Sequence, residues 1–245
     1  MKKKPIEGIC KLCNSKQMLI NSHIIPKFIH KKIDPKRNEP YVVYENMKVS
    51  EKNDLGVKEY LLCENCDNVI LHKYEDYFNH VWYENSVLPY KLNHKEVVSI
   101  DISYKPFLLF HLSIFWRMSV SSHSTFRHIN FGKKHNDQIR RILLNDDISN
   151  TNYKIIVKVI EMDNGLFDKI ITQPIPYKKN SHNIYSAIYA GCEIILKISS
   201  HDCKEFDKFT IKNNKCNVFI VNYKKINQII DVSNILNNIG KKSTK

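Results

Sequence analysis

Apolar and polar residues alternate along this chain with two different periods. From 69 to 82 the pairs Val69/Ile70, Lys73/Tyr74, Tyr77/Phe78 and Val81/Trp82 recur every four positions, which predicts a helix with one apolar stripe. The run from 107 to 120 is apolar nearly all round, as a helix buried on every side would be. Its one charged residue, Arg117, then needs a partner, either a carboxylate or a bound phosphate. A third helix is expected over 137–144, carrying Arg140 and Arg141, and a last one over 226–239. Strand-like runs occupy 97–102, 153–160, 169–172, 184–189, 193–198 and 218–221, with a short one at 41–44. Polar residues and the turn signals Asp34-Pro35, Glu39-Pro40 and Leu55-Gly56 fill 31–58, and Pro174-Ile-Pro176 reads as a loop. The pattern weakens near Leu88-Pro89.

Two units follow from this pattern: a small one over residues 1–97 and a larger α+β domain over 98–240, built on a buried helix and a mostly antiparallel sheet. Residues 241–245 are expected to be a disordered tail. With 42% apolar and 11% aromatic residues the chain can bury a sizeable core. It contains six glycines, no phosphate-cradling glycine loop and no nucleotide fingerprint. No run of about 18 uncharged apolar residues occurs, so no membrane span is expected. The start Met-Lys-Lys-Lys-Pro lacks the apolar run of a signal peptide, and a cytoplasmic protein is the expectation.

Cysteine spacing adds the first chemistry. Cys10-x2-Cys13 and Cys63-x2-Cys66 are two knuckles, and two knuckles supply the four thiolates of one tetrahedral structural zinc site. Reduced thiolates agree with a cytoplasmic compartment. Cys192, Cys203 and Cys216 have no such spacing and read as ordinary thiols.

The long interval between the knuckles opens with Met18-Leu-Ile-Asn-Ser-His-Ile-Ile-Pro26, and the second knuckle sits in Tyr60-Leu-Leu-Cys-Glu-Asn-Cys-Asp67. Over residues 8–82 this order resembles the zinc-bound HNH, or ββα-metal, endonucleases. Their pattern runs from a first Cys-x2-Cys to a strand ending Asp-His-Ile-Ile-Pro, then to Leu-Cys-x2-Cys-Asn at the head of a helix. Ser22 stands where that family has Asp, and Asp67 where it has Asn or His.

The resemblance implies a treble-clef zinc module in residues 1–97 and a metal-dependent nuclease acting on DNA, RNA being left open as an alternative. His23 would be the general base, Asp67 the ligand of a catalytic Mg²⁺ or Mn²⁺, and Lys27 and His30 phosphate contacts. Each has a plainer reading as well. His23 could bond a nearby backbone group, and an acid such as Asp67 in a first helical turn is favourable for dipole reasons alone. Domains of this kind occur in restriction and anti-phage systems, which would make other subunits of a defence complex, or a second copy of the chain, its partners. With Ser22 in place of Asp, the alternative is a zinc module without catalysis that binds DNA or protein.

Net charge is the second clue. The chain carries 38 basic and 25 acidic residues, a net +13. Ten basic face three acidic residues in 1–40, and 22 face 12 in 101–245. Such an excess favours a polyanion partner through phosphate contacts. Only five of the basic residues are Arg, which also fits a merely soluble, lysine-rich surface.

Overall fold

The computed structural model describes residues 4–33, 41–43, 49–50, 56–85, 97–149, 151–162, 165–166, 170–201, 206 and 215–222. The expected helix over 226–239, the weakened stretch at Leu88-Pro89, the tail and Cys203 lie outside them.

The N-terminal part is a three-stranded antiparallel sheet followed by a helix. β1 (Ile6–Ile9) and β2 (Lys16–His23) form a hairpin whose turn carries the first knuckle, and β2 also pairs with β5 (Lys58–Cys63). Between them lie α1 (Lys27–Ile33), β3 (Tyr41–Val43) and β4 (Val49–Ser50). Beyond β5 the chain turns into a helix in three stretches: a π-helical turn at Cys66–Leu71, α2 (His72–Asn79) and a second π-helical turn at His80–Glu84. This accounts for the four-residue repeat. Four residues overshoot the 3.6 of an α-helical turn, so a strict repeat drifts off any one face. The wider i→i+5 turns at both ends absorb the drift. Cys66, Tyr74, Phe78 and Trp82 are accordingly all buried, with Ile70 partly buried between them. Val69 is the exception to the expected stripe: it is 61% exposed.

The second part is a six-stranded path with one added strand. β6 (Val97–Asp101) is followed by α3 (Tyr104–Val120) and α4 (Gly132–Asn145). Then come β7 (Lys154–Met162), β8 (Gly165–Leu166), β9 (Ile170–Thr172), β10 (Ile175–Lys179), β11 (His182–Tyr189), β12 (Cys192–Ile198) and β13 (Lys215–Asn222). Strand order is β10-β11-β12-β7-β13-β6, with β8 on β7, and within this sheet only the β13–β7 pair is parallel, while β9 pairs in parallel with β3 in a separate small sheet β4-β3-β9. The architecture is therefore α+β with mostly antiparallel sheet, as the pattern predicts. One expectation is corrected. Pro176 is not in a loop but pairs with Tyr185 in β10. That strand is at the sheet edge, where a residue without an N–H costs no ladder bond.

α3 explains why a helix can be apolar all round. Phe107 through Met118 are all buried, with α2 on one side, α4 on another and the sheet beneath. The sheet offers it alternate residues: Tyr185, Ala187 and Tyr189 from β11, and Ile194 and Leu196 from β12. Aromatic rings link the two parts. Phe78 of α2 stacks on Phe110 of α3 at 4.1 Å, and the Trp82 indole N–H donates to the Ala190 carbonyl at 3.1 Å. Burying one such side chain stabilises by about 1.5–3 kcal/mol. One continuous core thus runs from the knuckles to the sheet. The opposite sheet face buries polar groups in pairs, such as Glu193 with Lys158 at 2.8 Å and Ser186 at 2.7 Å.

Candidate functional site

Local geometry brings the four cysteines together. After Cys10 the chain turns back so that Asn14 N–H donates to the Cys10 carbonyl at 2.8 Å and Cys10 N–H to the Ser15 carbonyl at 2.9 Å. Asn14 closes the turn at φ 59°, a left-handed conformation asparagine tolerates well. Lys11 N–H donates to the Leu61 carbonyl of β5 at 2.9 Å, which sets this knuckle against the second. From the far side Arg140 of α4 donates to the Leu12 carbonyl at 3.0 Å.

The sulfurs of Cys10, Cys13, Cys63 and Cys66 all lie within 4.8 Å of one another, and none is in a disulfide. A tetrahedral zinc thiolate site, with Zn–S near 2.3 Å, needs sulfurs roughly 3.8 Å apart. Spacing and donor chemistry therefore fit a structural zinc ion. Protonation agrees. Hydrogen bonding from Cys66, then from backbone amides that outweigh burial, draws Cys10 down to about 4, and the Cys63 N–H reaches its sulfur at 3.4 Å. Burial pushes Cys63 up, and the hydrogen bond to Cys10 together with burial pushes Cys66 up. Four thiolates held this close repel one another. A divalent ion is what lets all four thiols ionise.

Beside the cysteines lies a second polar cluster, drawn from four elements. His23 ends β2. Asp67 is the second residue of the π-helical turn, one after Cys66. The Ser22 hydroxyl donates to the Asp67 carboxylate, so Asp67 is tied to the residue next to His23. Ser22 itself is 9% exposed. The serine thereby eases ionisation of the carboxylate against its burial.

Arg117 of α3 joins these pieces. It is 2% exposed and donates to the Glu75 carboxylate at 2.9 Å and to the His23 carbonyl at 3.2 Å. Of the two partners the sequence leaves open, the structure places a carboxylate. Burial pushes Asp67 and Glu75 above the usual carboxylate range, and in both cases the positive charge of Arg117 is the largest opposing influence. His23 is lowered to about 4, first by burial and then by the positive charges of Lys58, His30, Lys27 and Arg117. It is therefore neutral at pH 7 and can accept a proton.

The remaining candidates separate. Lys27 is exposed at the start of α1. His30 is 6% exposed, its ring centroid 6.1 Å from that of His23, and its Nε2 is buried without a hydrogen-bond partner. The His30 ring is thus enclosed, and of the two expected phosphate contacts Lys27 is the one on the surface. His72 and His80 are exposed and face acids of their own helix, Asp76 at 3.3 Å and Glu84 at 3.0 Å.

Sequence reasoning missed Lys58 and Glu75. Lys58 is the cross-strand partner of His23, a relation that only the β2–β5 register reveals. Glu75 is an unremarkable helix acid until α3 packs on it. Among the described residues the cysteines are the one cluster of three or more metal-ligating groups. Asp67 thus offers a divalent cation a single half-buried carboxylate. Comparison with family models, with curated proteins and with solved structures finds no match.

Proposed function

We propose that the chain is a metal-dependent endonuclease acting on DNA, of the HNH kind that its motifs resemble. The observation that carries this reading is Arg117, which donates to the His23 carbonyl at 3.2 Å and is the largest charge acting on Asp67. That guanidinium holds the strand end bearing a neutral imidazole and lies close to a carboxylate one residue from the thiolate cluster.

Phosphodiester hydrolysis needs a base for water, positive charge at the phosphate and a held leaving group. His23 is the base; its depressed pKa keeps it unprotonated at neutral pH, and a phosphate offsetting Lys58 and Lys27 would make it a stronger one. Arg117 fixes the strand end through the His23 carbonyl. Asp67 is the residue that would hold Mg²⁺ or Mn²⁺, with water and phosphate oxygens filling the rest of its shell, and the cation would supply charge stabilisation. The cysteine-bound zinc is scaffold.

A second reading has an observation of its own. Asp67 is already hydrogen-bonded to Ser22, and Arg117 supplies positive charge close to it, as in a site that has traded catalysis for structure. The chain would then bind DNA or protein within a larger assembly.

Incubating purified protein with plasmid and Mg²⁺ or Mn²⁺ decides between them. His23→Ala should abolish cleavage, a loss of about a hundred- to ten-thousand-fold, with zinc content and melting temperature unchanged. Asp67→Ala should do the same and be partly rescued by excess Mn²⁺. If His23→Ala cuts as well as wild type, His23 is not the base. If wild type cuts neither DNA nor RNA with either metal, the binding reading stands.

A further inference from the structure

From Ile102 to Asn136 the chain holds no acidic residue, the longest such interval in a sequence with 25 of them. Its first half is the buried helix α3, where acids are not expected. Its second half, 121–136, is surface. Ser122, His123, Ser124, Arg127, His128, Lys133 and Lys134 are all exposed there. A solvated loop of this length would ordinarily mix both signs of charge. Lys133 and Lys134 also stand in the first turn of α4, which contains no acid, the reverse of what the helix dipole favours.

The fold carries this segment to the strand end that bears His23. Glu59 is the residue after Lys58, and its carboxylate accepts the Ser121 hydroxyl, the Ser122 hydroxyl and the Ser122 N–H, the last at 2.9 Å. Burial pushes Glu59 up, but those three bonds and His123 outweigh it and hold the carboxyl below its usual range. The Glu59 charge is thus spent on fixing the loop. At the other end Phe131 N–H donates to the Ser119 hydroxyl at 3.2 Å, and the Trp116 indole to the Asn136 carbonyl at 3.2 Å. Between these anchors Phe126 and Ile129 are buried as plugs, at 1% and 4% exposure. The exposed basic and hydroxyl groups are therefore held on a rigid base, so ordering them costs little entropy on binding.

We propose that the 121–128 segment, together with Lys27 and Lys58, forms a backbone-binding rim that seats duplex DNA beside His23. This rests on the nuclease reading and gives the second part of the chain a role in it. Arginine and lysine supply the charge, and hydroxyls supply uncharged donors to phosphate oxygens, the usual mix of sequence-independent contacts. The rim reads no bases, so binding should be alike for unrelated duplexes.

The test is fluorescence anisotropy of short duplex DNA with the full chain over a salt series, with plasmid cleavage run in parallel. Arg127→Ala and Lys58→Ala should each flatten the slope of log affinity against log salt by about 1, and together by about 2, equally for two unrelated sequences. Arg127→Lys should retain the slope. Lys178→Ala, an exposed lysine of β10, should change nothing. Circular dichroism melts identify any variant that fails to fold, and Arg127→Lys then carries the comparison with wild type. If Arg127→Ala and Lys58→Ala bind with wild-type affinity and slope, or if wild type binds no duplex at low salt, the rim is overturned. Cleavage by wild type alongside unaltered variants leaves the nuclease standing without the rim. Loss of binding in the variants without cleavage by wild type leaves the rim standing without the nuclease.

Discussion

Two polar clusters lie side by side in this molecule, and they are built in opposite ways. The cysteine cluster uses four copies of one donor, supplied as two local pairs whose spacing alone makes each knuckle. The cluster around Arg117 uses one group from each of several elements: Ser22 and the His23 carbonyl from β2, Asp67 from the π-helical turn, Glu75 from α2 and Arg117 from α3. The first consists of ligand donors alone. The second already contains its own cation, a guanidinium, and is electrostatically closer to self-sufficient. A cluster whose charges are balanced internally holds a fold together. One whose charges are not balanced asks for a ligand. The two should therefore fail differently when perturbed.

Zinc removal is the largest expected effect. Structural zinc contributes on the order of 10 kcal/mol to folding in small zinc peptides. Cys63→Ser, or a strong chelator, should unfold the region around β1, β2 and β5 and, through the shared core, loosen α2 against α3. Metal analysis should find one zinc per chain. Well-folded protein without zinc would remove the cysteine cluster from the comparison altogether.

Next comes the internal cation. Arg117→Met takes the counter-charge from Glu75, whose side chain is only 16% exposed, and breaking one side of a buried pair costs about 3–5 kcal/mol. At this chain length that is roughly a 10 °C fall in melting temperature. Glu75→Gln in the same chain should recover part of it, since the stranded charge is then gone. If Arg117→Met melts as wild type does, the pair is not structural, and a phosphate becomes the better partner for Arg117.

Legibility in the sequence follows the same division. The knuckles, the buried helix and the antiparallel strands are local or periodic, and a pattern of one residue type at fixed spacing survives translation into structure. The Arg117 cluster is not periodic at all. Ser22 reads as a missing ligand until its hydroxyl is seen on Asp67, and Lys58 gains meaning only from its register with His23. The inward turn of the His30 ring is not legible because seven residues of helix carry no reliable face. Pro176 falls in a strand because proline is excluded from a central strand but not from an edge one.

Acid should expose a further contrast, because buried histidines weaken a fold wherever they must stay neutral. Burial lowers His111, deep in the core on Tyr189, to about 3, and His30 to about 4, against an unfolded value near 6.5. Both rings thus contribute stability that is complete above about pH 6.5 and is lost as pH falls toward the folded values. The limit by pH 4 is about 3 kcal/mol for one ring. His30→Gln should flatten the decline of melting temperature between pH 6.5 and 4. A melting temperature that does not change across that window would mean that neither ring is confined as the structure has it.

The smallest effect bears most directly on whether the second cluster is self-sufficient. Ser22→Ala removes one hydrogen bond to a carboxylate, worth about 1.5 kcal/mol or somewhat more, and leaves Asp67 harder to ionise than burial already makes it. Ser22→Asp goes further by setting a second carboxylate against the first. In metal-free buffer that repulsion should lower the melting temperature below wild type. With Mn²⁺ or Mg²⁺ present the same two carboxylates become a ligand pair, so the variant should gain a melting-temperature rise larger than wild type shows. Such a gain would mark Asp67 as a cation ligand that Ser22 leaves underused. If neither protein responds to the cation, Asp67 belongs with Arg117 as a structural charge, and the cysteine cluster is the only metal centre of the pair.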